Sequence, residues 1–74
     1  MELPRYCIVG SRPVVAIKTE DGGMDVLAYD WATGELVRDM GYLTRIALPD
    51  EEVEIVSADE FEAYVLRLRS QRSQ

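Results

Sequence analysis

Between Asp50 and Glu62, seven carboxylates fall within thirteen residues, DEEVEIVSADEFE, with no lysine or arginine among them. Carboxylates so closely spaced can do three kinds of work. They can serve as an acid–base pair, as in glycosidases; they can coordinate a hard cation; or they can present a negative face that attracts and steers a basic molecule. The run lacks the D-x-D-x-D-G spacing of a calcium loop. A solvated turn, an outward strand face and a helix start account for most of its members, which counts against the catalytic and metal uses. The basic-partner use remains, centred on Asp50, Glu51, Glu52 and Glu54, beside the plainer reading of a solvated acidic face.

Other chemistry is scarce. Histidine is absent from the chain, which removes the commonest general base and metal ligand at neutral pH. Cys7 therefore has no imidazole to generate a thiolate, and Ser11, Ser57, Thr33 and Thr44 have none to activate a hydroxyl. Cys7 reads as a small buried strand residue. Gly22-Gly23 closes a hairpin with no helix behind it, unlike a phosphate loop. The residues predict a non-enzymatic protein without cofactor or metal.

One further residue invites a functional reading. In YDWATGEL (29–36) the D-x-x-T-G-E frame is that of a tight hairpin loop, yet its second position holds Trp31, the single tryptophan. Asp30 is placed to accept from the N–H two residues on, and Gly34 supplies the positive φ that reverses the chain. The turn does not require Trp31. It is a candidate partner contact, because tryptophan is enriched at interface hot spots. The competing and preferred reading folds its ring back onto the chain's own sheet.

These residues need a scaffold. RYCIVG (5–10) reads as a strand closed by Gly10. VVAIKT (14–19) and MDVLAY (24–29) form a hairpin about the Asp21-Gly22 pair, and ELVRDM (35–40) is a fourth strand. Residues 41–48, GYLTRIAL, carry two patterns. Tyr42, Thr44, Ile46 and Leu48 alternate as in a strand, whereas Leu43, Ile46 and Ala47 have helical spacing; the expectation is a strand. VEIV (53–56) alternates again. Ser57-Ala58-Asp59-Glu60 is a capping box, opening a helix with acids in its first turns, arginines near its end and an apolar stripe of Ala58, Phe61, Tyr64, Val65 and Leu68.

The predicted fold is α+β: an antiparallel meander of four to six strands, strongly curled, with one C-terminal amphipathic helix packed across it. Residues 1–68 form a single domain and 69–74 a frayed polar tail. The strands present two apolar faces. Tyr6, Ile8, Val15, Ile17, Leu27 and Tyr29 make a large-residue set; Cys7, Val9, Val14, Ala16, Val26 and Ala28 make a small-residue set. One helix covers one face only. The second is closed by curling into a partial barrel, by the loops and segment 41–48, or by a second copy, with curling plus self-association the preferred combination; against these stands a monomer whose second face is simply half-exposed.

Eight basic and fourteen acidic residues give a formal charge of −6. That argues against a nucleic-acid backbone and an anionic membrane surface, and it suits a basic protein partner. A lone cysteine allows no intramolecular disulfide, the first residues lack the apolar run of a signal peptide, and a cytoplasmic setting is expected. The leading expectation is a protein-interaction or regulatory module of the inhibitor, immunity or adaptor type. A homodimeric self-assembly module is the alternative, with a small-ligand-binding role in a barrel mouth behind it.

Overall fold

A computed structural model describes residues 1–72. Five strands, β1 (Arg5–Val9), β2 (Arg12–Lys18), β3 (Met24–Tyr29), β4 (Leu36–Arg38) and β5 (Val53–Val56), form one sheet. Its order is β4-β3-β2-β1-β5, and every pairing is antiparallel. A 3₁₀ turn (Met40–Tyr42) and a short helix α1 (Leu43–Ala47) lie between β4 and β5, and α2 (Ala58–Arg72) closes the described chain. This is the expected α+β arrangement with its C-terminal helix.

The strong curl is not present. β4 and β5 occupy opposite edges, with three strands between them and no pairing to each other, so the sheet stays open. It has no need to close, because each face has its own cover. The large-residue face carries Ile8, Val15 and Tyr29 against Phe61 and Val65 of α2. On the small-residue face Cys7, Val9, Val14, Ala16, Val26 and Ala28 pack with Val53 and the fully buried Ile46, joined by Leu3, Met24, Met40, Tyr42 and Leu43. Small side chains on that face leave room for a helix as short as α1 to approach closely. The apolar face that motivated a second copy is thus covered within the chain.

Residues 41–48 are accordingly helical, not a strand. Asp39 starts the segment by accepting from Gly41 N–H at 3.1 Å, which fixes a tight turn at the chain's exit from β4. Ile46 is then buried while Thr44 and Leu48, its partners in the alternating pattern, stand in solvent. The Arg5 guanidinium donates to the Ile46 carbonyl at 2.9 Å, satisfying an acceptor that the helix end leaves open. The same segment explains the topology. Connection 39–52 carries the chain across the small-residue face, so β5 pairs with β1 rather than with its sequence neighbour β4.

α2 begins as its sequence dictates. Ser57 Oγ accepts from Glu60 N–H (3.1 Å), and Glu60 Oε1 accepts from Ser57 N–H (3.2 Å), a reciprocal cap that satisfies two orphan donors. The helix continues past Leu68 to Arg72, where a frayed tail was expected to begin. Arg69 donates to the Gly34 carbonyl at 2.7 Å, and Arg72 donates to the Ala32 carbonyl. These two bonds hold the last turn against the β3–β4 hairpin. Ser73 and Gln74, the end of the expected tail, lie outside the described residues.

Candidate functional site

The strand directions place three loops on one rim of the sheet: Gly10-Ser11, the hairpin 30–35, and the turn 50–52 that leads into β5. The two groups of candidate residues therefore share a rim, but they lie toward opposite edges. Trp31 belongs to the β3–β4 hairpin and Asp50–Glu52 to the turn entering β5. With strands spaced about 4.8 Å apart, β3 and β5 are separated by roughly 14 Å.

The hairpin has the geometry read from its sequence. Asp30 Oδ1 accepts from Ala32 N–H at 2.8 Å, Gly34 N–H donates to the Asp30 carbonyl at 2.8 Å, and Gly34 has φ +77°. Glycine suits this position on two counts. The φ disfavours any L side chain, and an added Cβ would fall 2.9 Å from Arg72 Cδ.

Trp31 meets its own chain along one side. Its ring stands edge-on to Tyr29, with centroids 5.2 Å apart and planes at 71°, a favourable aromatic geometry. The Arg12 guanidinium lies 5.6 Å from the Trp31 centroid and 5.9 Å from that of Tyr42, whose hydroxyl it meets at 3.0 Å. One cation thus ties the hairpin to the 3₁₀ turn. The residue remains 46% exposed, so Trp31 both packs and faces water.

The four acidic candidates divide into two kinds. Asp50 is a turn residue: its Oδ1 accepts from Glu52 N–H (2.9 Å), and its carbonyl accepts from Val53 N–H (3.1 Å). Glu52 pairs with Arg45 at 3.1 Å, and Arg45 also lies 3.9 Å from Asp50. Glu51 and Glu54 are exposed, and neither carboxylate has a hydrogen-bond or ion-pair partner among the described residues. Glu54 projects to the α2 side of the sheet beside Glu60, and together with Ile8, Val56, Ala63 and Arg67 they line a cleft of about 410 Å³. Ile55 points the other way and is 53% exposed. Neither Ile55 nor Glu60 was a sequence candidate. Alternation assigns a residue's face, but it does not show that its strand forms an edge.

The carboxylates do not gather into a metal site: among the described residues no three acidic or cysteine side chains converge as a cation would need. Cys7 is buried, and burial pushes its thiol above the ordinary 9.0, an effect that nearby Arg5 partly offsets. The proton stays on sulfur at neutral pH, and the side chain acts as a small apolar residue. At the β2–β3 hairpin, hydrogen bonds from the Thr19 hydroxyl and Gly23 N–H hold the Asp21 carboxyl below its usual range, a local turn feature. Among the described residues no helix is long and apolar enough to cross a membrane. Comparison with protein-family models, curated proteins and solved structures gave no match.

Proposed function

We propose that this chain is a non-enzymatic protein-binding module that engages a basic protein through its acidic β5 surface. The observation that supports the reading is a placement. Residues 50–62, with seven carboxylates and no base, run continuously along the rim turn, the outer strand β5 and the first turn of α2. Arg45 neutralises part of the turn, but Glu51 and Glu54 are left to water, and Asp59 and Glu62 are exposed on the helix. A patch of one sign raises the encounter rate of an oppositely charged partner and repels wrong ones. A cytoplasmic setting belongs to the same proposal.

The homodimer lacks its original motive, since α1 covers the spare apolar face. The barrel-mouth ligand role lacks a barrel. The test is affinity capture from native extracts with the wild-type chain and the E51Q/E52Q/E54Q variant. The proposal expects a basic protein on the wild type that the variant retains weakly. Equal retention by both contradicts it.

A further inference from the structure

The acidic surface carries a backbone as well as a charge. β5 is paired on one side only, to β1. Gly10 N–H donates to the Glu52 carbonyl at 2.8 Å. Because successive residues of a strand direct their peptide groups to opposite sides, those of Glu52, Glu54 and Val56 face β1, and those of Val53 and Ile55 face outward. Val53 N–H is taken by Asp50 and Ser57 N–H by Glu60. Ile55 N–H, Ile55 C=O and Val53 C=O remain without a protein partner among the described residues.

The side chains flanking this edge differ in chemistry. On the α2 side are Glu54 and the cleft it shares with Glu60, opened by the small side chain of Ala63. Arg67, the one base in that lining, lies over the Tyr64 ring at 5.1 Å. On the α1 side is exposed Ile55. An added strand would alternate in the same way. Its residues on the α2 side would meet carboxylates, and those on the α1 side would meet an aliphatic surface.

We propose that β5 accepts an extended segment of the basic partner as a sixth strand, with alternate residues basic toward Glu54 and Glu60 and apolar against Ile55. The inference rests on the acidic-surface reading for its charge and adds the mode of recognition, strand addition at a free edge. Charge also argues against a second copy as the occupant. β5 beside β5 would bring two sets of Glu54 and Asp50–Glu52 carboxylates together, and like charges on adjacent strands are destabilising.

The probe is an acetylated, amidated heptapeptide alternating lysine with valine, titrated into ¹⁵N-labelled protein. Two derivatives carry N-methyl groups, one on its valines and the other on its lysines. All three have the same charge. Only alternate N–H groups of an added strand face β5, so one methylation pattern should weaken binding about tenfold, by loss of backbone hydrogen bonds, and the other far less. The Ile55 amide should shift on binding, and Glu54→Gln should weaken it about two- to fivefold. Equal binding by all three peptides overturns strand addition and leaves the acidic-surface reading standing. No binding by any of them overturns both. A concentration-dependent Ile55 shift in the protein alone places a second copy on the edge and also overturns the inference.

Discussion

Replacing Ile46 with alanine tests whether α1 is a structural layer or a decorated loop. Ile46 is fully buried against the small-residue face. The substitution removes three carbon atoms, worth about 0.8 kcal/mol each on transfer alone, or roughly 2.4 kcal/mol. The cavity left behind adds to that, and Ile→Ala changes in cores cost about 2–5 kcal/mol in total. Alanine's better helix propensity returns less than about 0.7 kcal/mol. A loss near 3 kcal/mol lowers Tm by about 12–24 °C in a domain of this size. It also consumes most of the roughly 3–5 kcal/mol that one small core supplies. The control is Leu48→Ala in the same segment, at a side chain 77% exposed, where a change within about 0.5 kcal/mol is expected. Thermal melts followed by circular dichroism, with urea titrations for the free energy, measure both. Equal midpoints for the two variants would refute the claim that this segment closes the second face.

Three further outcomes follow from local geometry. Gly34→Ala places a Cβ at φ +77° and 2.9 Å from Arg72 Cδ; it should destabilise by about 1–2 kcal/mol in urea titrations, and an increase in stability would count against the hairpin–helix contact. Ser57→Ala should cost about 1 kcal/mol and combine non-additively with Glu60→Ala, because each group satisfies the other's N–H; additive losses would mean that the box does not act as a unit. Cys7 should resist a thiol reagent at pH 8 until urea is added. Its folded-state thiol is raised above 9.0, so its contribution to stability is complete below that pH and falls as pH rises toward the folded value. Cys7→Ala should therefore flatten the alkaline limb of a Tm–pH curve, and an unchanged limb would assign that limb to other groups.

Much of this architecture is legible in the sequence because its determinants are local. The Ser57–Glu60 cap and the Asp30–Gly34 turn each need only residues within five positions of one another. The two apolar faces follow from alternation, but the pattern does not say what covers the second. Segment 41–48 was ambiguous because Ile46 satisfies both periods, and only the neighbouring small-residue face favours the helical one. The place of β5 depends on where connection 39–52 travels, and no side-chain pattern encodes that path. Arg12 and Trp31 are brought together by the β2–β3 register and are 19 positions apart. The acidic run was visible as a charge. Its division into turn residues (Asp50, Glu52) and unpartnered ones (Glu51, Glu54) came only from geometry.

The proposal that the carboxylates of the 50–54 turn and strand recognise a basic protein is tested most directly by the salt dependence of that binding. Equilibrium affinity for the captured partner would be measured at several salt concentrations with the wild-type chain and with E51Q/E52Q/E54Q. An exposed pair such as Glu52–Arg45 contributes at most about 1 kcal/mol, so the variant should stay folded, which its melting curve would verify. Wild-type affinity should fall as screening rises, and the variant should bind more weakly with a shallower dependence on salt. Equal affinities and equal salt slopes for the two folded proteins would contradict the account.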